Sequence, residues 1–152
     1  MDISMSVPLD SDGFLRRECP ACERQFKWHN GPANEEAEQA PAAVTYYCPF
    51  CGEPAGTGAW WTAEQLDHAR ATALPVAMQA VQGEMAALFR DTPGMTFTRG
   101  SDPDTPPSAE SLTEPDDMHL VASPCHAYEP IKVPDDEAGP WHCLVCGEPF
   151  AT

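Results

Sequence analysis

The amino-acid sequence predicts a small α+β fold with two β-hairpin lobes, one kinked amphipathic helix and an acidic, proline-rich linker. Three observations carry this prediction. The chain of 152 residues contains 17 prolines and 10 glycines, which break it into short elements. Its longest apolar-periodic stretch is confined to residues 60–90, and six of its seven cysteines lie in closely spaced pairs. Lobes this small bury too little apolar surface to offset chain entropy, so they need a further source of stability.

The cysteine spacing indicates that this source is a metal ion. An odd number of cysteines, mostly in CxxC pairs, is poor material for a disulfide framework and typical of metal sites. Cys19, Cys22, Cys48 and Cys51 form the pattern CxxC, 25 residues, CxxC. Four thiolates at this spacing satisfy the tetrahedral coordination of Zn²⁺. We therefore predict a small metal-stabilised fold with a first, four-cysteine site.

A second site follows from an internal repeat. Residues 47–54, YCPFCGEP, align without a gap with residues 142–149, HCLVCGEP. The shared Cys, Cys, Gly, Glu and Pro make a repeated structural unit the simplest interpretation. In such a turn the glycine adopts a backbone angle that other residues resist, and backbone N–H groups hydrogen-bond the sulfurs.

The second site lacks one cysteine. Only Cys125 stands opposite Cys143 and Cys146, so a histidine is expected to complete the set. We predict His126 as the fourth ligand because it is the nearest to the expected turn. His142, His119 and a water molecule are the alternatives. Both sites together would give two zinc ions per chain.

The elements follow in order along the chain. The strand-like Arg24–Trp28 and the β-rich Val44–Tyr47 are predicted to pair as one hairpin. The predicted segments are a disordered lead (1–13), a four-cysteine lobe (14–59), a helix (60–90), a flexible linker (91–117) and a Cys3His lobe (118–152).

The predicted helix has a clear start and one apolar stripe. Thr62 is a good N-cap, and Gln65 completes a capping box. Pro75 removes a backbone hydrogen bond and should kink the helix. The apolar residues recur in steps of four and three: Leu74, Met78, Val81, Met85 and Leu88. We expect this stripe to pack on a lobe, with a partner groove or dimer seam as the alternative.

The two cysteine-bearing lobes resemble the zinc-ribbon (rubredoxin-like) superfamily, over residues 16–54 and in part over residues 119–150. The resemblance implies structural metal in small β-hairpin lobes, which many proteins use for contacts with proteins or nucleic acid. Its motif is specific for metal and unspecific for function. This chain departs from the pattern at Glu23, which follows Cys22 where a glycine is expected, so a looser first turn is predicted.

Charge and motifs favour a non-catalytic interaction module with a protein partner. A net charge of −16 repels nucleic acid and anionic membranes overall. No nucleotide-binding, metalloprotease or serine-hydrolase motif occurs, so no enzymatic activity is expected. The N-terminus lacks the character of a secretory signal, which favours a cytoplasmic protein. Trp60, Trp61 and Trp141 are candidate anchors for the partner, although burial in the fold is the favoured use of each.

Two other functions remain open at this point. Arg16, Arg17, Arg24 and Lys27 bracket the first CxxC pair and could bind nucleic acid. The competing interpretation is that these cations pair with acidic residues of the same lobe. Electron transfer is the other alternative, because the second lobe is similar to a rubredoxin, which holds redox-active iron.

Overall fold

The computed structural model describes residues 5–90, 92–96 and 111–152. Its fold is α+β, with small antiparallel sheets and one long helix. One compact unit comprises residues 7–63 and 113–152, and another is built on residues 64–112. The elements are β1 (Phe14–Glu18), β2 (Gln25–His29), α1 (Glu35–Gln39), β3 (Thr45–Tyr47), β4 (Pro54–Gly56), α2 (Ala63–Arg90), β5 (Met118–Val121), β6 (Ile131–Pro134), β7 (Trp141–His142) and β8 (Pro149–Phe150).

A four-stranded antiparallel sheet in the order β1-β2-β6-β5 organises the first unit. Strand β2 pairs with β1 on one edge and with β6 on the other. The predicted hairpin between Arg24–Trp28 and Val44–Tyr47 is therefore wrong, because both edges of β2 are already occupied. Strand β3 pairs instead with β4. The two cysteine-bearing segments, predicted as separate lobes, each contribute two strands to this one sheet.

The internal repeat is confirmed by two matching two-stranded sheets. In β3–β4, Tyr46 pairs with Ala55 and Tyr47 with Pro54. In β7–β8, the residues 95 positions later pair in the same register: Trp141 with Phe150 and His142 with Pro149. The large sheet shows the same similarity of two halves. One half contributes the outer strand β1 and the inner strand β2, and the other contributes the outer strand β5 and the inner strand β6. The first unit is thus built from two similar halves.

The core of this unit lies between the large sheet and the CxxC turns. Phe26 and Trp60 are fully buried, with ring centroids 5.7 Å apart in an edge-to-face arrangement. Trp141 is 3 % exposed. Aromatic rings packed edge to face contribute beyond the area they bury. Two of the three candidate anchors, Trp60 and Trp141, therefore belong to the core, and Trp61 is half-buried.

Helix α2 begins directly after Thr62, the predicted N-cap, and contains Pro75. Four of the five stripe residues are exposed, from Met85 at 40 % to Leu88 at 72 %. The expectation that the stripe packs on a lobe stays a prediction. Periodicity identified an apolar face, but periodicity does not state what covers it.

Acidic residues at the ends of both predicted flexible segments contact the large sheet. Asp10 is buried and hydrogen-bonds Lys132 at 2.8 Å. Near the end of the predicted linker, Glu114 hydrogen-bonds Arg16 at 2.9 Å. The disordered lead predicted to residue 13 and the linker predicted to residue 117 thus extend too far, because sheet cations bind their last residues. Residues 97–110 of the linker lie outside the described residues.

Candidate metal centres

The four thiols predicted for the first site converge on one point. The Sγ atoms of Cys19, Cys22, Cys48 and Cys51 all lie within 4.8 Å of one another. The Cys19–Cys51 and Cys22–Cys48 sulfur pairs are each 3.7 Å apart. A tetrahedral ion with metal–sulfur bonds of about 2.3 Å, the length found for zinc, places its sulfurs about 3.8 Å apart. The thiols are therefore spaced for a tetrahedral metal ion, and all four are free of disulfides.

The backbone of the CxxC turns donates hydrogen bonds to the sulfurs. The amides of Ala21 and Cys22 donate to Cys19 Sγ at 3.3 and 3.4 Å, and the amide of Phe50 donates to Cys48 Sγ at 3.4 Å. Such N–H donors stabilise thiolate charge and orient the sulfur. Each turn thus supports its first cysteine as a ligand.

The first turn is closed as tightly as the other two. The amides of Glu23, Gly52 and Gly147 donate to the carbonyl of the first cysteine in their turns at 2.9, 2.9 and 2.8 Å. These three residues have φ values of 59°, 75° and 77°. The prediction of a looser first turn is therefore wrong, because Glu23 adopts the left-handed conformation that the glycines adopt elsewhere.

Replacing Glu23 by glycine is expected to stabilise the protein. A non-glycine residue in the left-handed region costs about 1–2 kcal/mol, part of which the extra freedom of glycine in the unfolded chain offsets. We expect Glu23→Gly to raise the free energy of unfolding by about 1 kcal/mol, measured by urea denaturation of the metal-loaded protein. Glu18→Gly, in strand β1, is the control and should lower the free energy of unfolding. An unchanged or lower stability of Glu23→Gly would contradict the strain argument.

The second centre gathers Cys125, His126, Cys143 and Cys146, whose ligand atoms also lie within 4.8 Å of one another. Cys125 Sγ is 3.5 Å from Cys146 Sγ, and His126 Nδ1 is 3.4 Å from Cys143 Sγ. Three thiols and an imidazole form a complete tetrahedral set for zinc. Among the three histidines considered from the sequence, the structure brings His126 to the thiols.

The other two histidines lie elsewhere. His142 Nδ1 is 3.3 Å from the carbonyl oxygen of Pro49, and His119 Nδ1 is 3.5 Å from Asp135 Oδ1. The ring of His142 lies so close to Gly52 that an added Cβ there would be 2.9 Å from its Cδ2 atom. His142 therefore packs on a turn of the first centre.

The two centres are joined by a reciprocal contact of their repeated turns. The amide of Tyr47 donates to the carbonyl of Leu144 at 2.9 Å, and the amide of His142 donates to the carbonyl of Pro49 at 2.8 Å. Tyr47 aligns with His142 and Pro49 with Leu144 in the repeat, so the same bond is made twice. Tyr47 in turn covers Gly147, where an added Cβ would lie 2.7 Å from its ring. Both glycines thus combine a positive φ with a ring packed so closely that a Cβ would clash with it.

The pKa of the cysteine thiols differs from one thiol to the next. Burial raises the pKa of Cys48 and raises that of Cys146 to about 11. Burial acts in the same direction on Cys143, but hydrogen bonds from Ser123 and from the amides of Cys146 and Val145 outweigh it and lower the pKa to about 6. Metal binding therefore has to displace protons from some of these thiols.

Sequence reasoning missed Ser123, which is buried beside the second centre. Its Oγ donates to Cys143 Sγ at 3.1 Å and accepts from the amide of His126 at 3.2 Å. The sequence does contain an indication that Ser123 corresponds to Cys19, because a proline follows each of them, Pro124 and Pro20.

The basic residues predicted for nucleic acid are engaged within the fold. Arg16 pairs with Glu114 and with Asp117, at 2.9 and 2.7 Å. The Arg17 guanidinium lies between the rings of Trp28 and Trp61, 4.6 Å from each centroid, and burial lowers its pKa to about 10. Arg24 lies over the ring of Phe50 and pairs with Glu137. Lys27 is fully buried. Nucleic-acid binding stays a prediction, and these contacts would have to open for it.

Comparison with protein-family models, curated proteins and solved structures finds no match to this chain. Among the described residues, every helix is too short or too polar to cross a membrane.

Proposed function

We propose that this protein is a zinc-stabilised, non-catalytic interaction module with two ribbon-type metal centres and a protein partner. The observation that carries the proposal is the convergence of two four-donor sets, each with its ligand atoms within 4.8 Å. The sulfur separations of the first set, 3.7 Å, match those of tetrahedral zinc. Four protein donors close the coordination sphere, whereas catalytic zinc retains an open position.

The location of the ligands supports a structural role for the metal. Cys19, Cys48 and Cys143 are 1 %, 0 % and 2 % exposed. Cys19 and Cys48 belong to the same buried cluster as Phe26 and Trp60. A metal ion at this position links residues of the core that are far apart in sequence, which is how small metallo-domains gain folding free energy.

Elemental analysis and a visible absorption spectrum test the proposal. Protein purified without added metal is expected to be colourless and to contain about two zinc ions per chain. Iron with a red colour that bleaches on reduction would instead support rubredoxin-like electron transfer, which a four-thiolate site also permits. A folded protein without metal at either centre would contradict the proposal.

The exposed stripe of α2 is the surface we propose for the partner. Val81 and Leu88 are 55 % and 72 % exposed, and apolar surface of this kind marks contact sites when it is contiguous. Replacing Val81 by glutamate is expected to abolish co-purification of the partner without changing zinc content. Val44→Glu is the matched control, since Val44 is 81 % exposed in the other unit. Equal retention of the same proteins by both variants would contradict this assignment.

A further inference from the structure

The two centres differ at one corresponding position of the repeat. Residues 19–22 read Cys-Pro-Ala-Cys, and residues 123–126 read Ser-Pro-Cys-His. The first tetrapeptide follows strand β1 directly, and the second follows β5 after one intervening residue. Strands β1 and β5 are the two edges of the same sheet. Topology therefore aligns Ser123 with Cys19 and His126 with Cys22.

Hydrogen bonds and burial support the same alignment. The amide of Cys22 donates to Cys19 Sγ at 3.4 Å, and the amide of His126 donates to Ser123 Oγ at 3.2 Å. In both turns the side chain of the first residue thus accepts from the amide three residues later. Cys19 is 1 % exposed and Ser123 is 4 % exposed. Ser123 therefore occupies the position that a metal ligand occupies in the first turn.

The donor pairs show how the second centre compensates. The Cys22–Cys48 pair, at 3.7 Å, corresponds to His126 with Cys143 at 3.4 Å. The Cys19–Cys51 pair, also at 3.7 Å, would correspond to Ser123 with Cys146. Instead Cys125 Sγ lies 3.5 Å from Cys146 Sγ. The thiol that opposes Cys146 thus comes from two residues further along the chain.

We propose that Ser123 is a positioning residue that sets the ligands of the second centre, an inference that rests on the proposed metal binding. A serine hydroxyl is not among the usual protein ligands of zinc, and Ser123 Oγ donates to Cys143 Sγ at 3.1 Å instead. That bond stabilises the Cys143 thiolate and holds the turn. Cys125 then takes the first ligand position, which gives a centre of three thiolates and one imidazole.

Metal affinity of the full chain, measured by competition with a chromophoric chelator, tests this inference. Ser123→Ala removes the hydroxyl and is expected to weaken metal binding at the second centre about 10–100-fold. Cys125→Ala removes a ligand and should weaken it by more than about 100-fold. Adding Ser123→Cys to Cys125→Ala should restore affinity to within about tenfold of the original, because a thiolate returns to the position equivalent to Cys19.

A cysteine at Ala122 provides the matched control. Ala122 is exposed and precedes Ser123, so Ala122→Cys in the Cys125→Ala background should give no rescue. The Co²⁺ spectrum of the rescued protein should retain the bands of three thiolates and one imidazole. The four-thiolate bands of the first centre report in each variant that the protein is folded.

The outcomes separate this inference from the proposed function. An unchanged affinity in Ser123→Ala, no rescue by Ser123→Cys, or equal rescue by Ala122→Cys would overturn the role of Ser123 while two metals still bind to the unmodified chain. Failure of the unmodified chain to bind metal at all would overturn the proposed function itself.

Discussion

Metal removal is expected to unfold the sheet-bearing unit. Cys19 and Cys48 lie in the buried cluster with Trp60, so an empty centre leaves a gap lined by thiols inside the core. Binding of structural zinc contributes about 10–16 kcal/mol in small zinc domains, which equals or exceeds the total stability of a typical domain, about 5–15 kcal/mol. The core without metal should therefore not persist as a folded state.

Two measurements check this expectation. A strong chelator should abolish the near-ultraviolet circular dichroism and shift the tryptophan fluorescence to the red, since Trp60 and Trp141 become exposed. Cys48→Ser should have the same effect without chelator, whereas Val44→Ser, at an exposed position, should not. Retention of native spectra by the metal-free protein would show that the aromatic core is sufficient by itself.

Loss of the Asp10 carboxylate is expected to have the second largest effect. Asp10 Oδ2 lies 2.8 Å from Lys132 Nζ and 3.3 Å from Lys27 Nζ, and these two lysines are paired in register across β2 and β6. All three side chains are 6 % exposed or less. Removing one partner of a buried ion pair typically costs about 3–5 kcal/mol. Lys132 then keeps Asp12, and Lys27 keeps Glu114 and Asp117, so the lower end of this range applies. We expect Asp10→Asn to lower the free energy of unfolding by about 3 kcal/mol.

Asp12 is the control for this prediction because it binds the same lysine from the surface. Asp12 Oδ2 lies 2.6 Å from Lys132 Nζ, but its side chain is 67 % exposed. An exposed partner contributes about 0–1 kcal/mol, so Asp12→Asn should change stability little. Urea denaturation of both variants measures the difference. Equal losses in the free energy of unfolding of the two variants would show that burial of Asp10 does not determine the cost of losing its carboxylate.

The same carboxylate gives a predicted pH dependence. Although burial opposes it, hydrogen bonds from Lys132 and from the amides of Phe14 and Asp12 lower the Asp10 pKa to about 2. A lowered pKa in the folded state gives stability that is fully present above the unfolded pKa, near 3.8, and is lost as pH falls through about 2. Asp10→Asn should remove this contribution, so its stability should fall less steeply over this range.

The local features of the site could be predicted from the sequence. A CxxC turn is specified by a few consecutive residues, and hydrogen bonds within the turn fix its geometry. The spacing therefore identified Cys19 and Cys22 as partners of Cys48 and Cys51, and the repeat identified the second pair of turns. Helix α2 likewise begins where Thr62 predicts, because an N-cap acts on its own first turn.

The long-range features were decided by the tertiary structure. Whether β2 pairs with β3 or with β6 depends on which surfaces are buried together, and residues about 100 positions apart contribute to that free energy. The same holds for the basic residues. The sequence shows that Lys27 and Arg16 are charged, but only the tertiary structure shows that Asp10 and Glu114, 104 residues apart, pair with them.

The second centre shows both local features, which the sequence determines, and long-range features, which the tertiary structure decides. By itself, the sequence determined that tight cysteine-bearing turns form, because adjacent residues make the bonds within each turn. Only the tertiary structure decided that His126 Nδ1 lies 3.4 Å from Cys143 Sγ and that Ser123 Oγ donates to the same sulfur. These outcomes depend on how distant segments pack together, and spacing along the chain does not encode that packing.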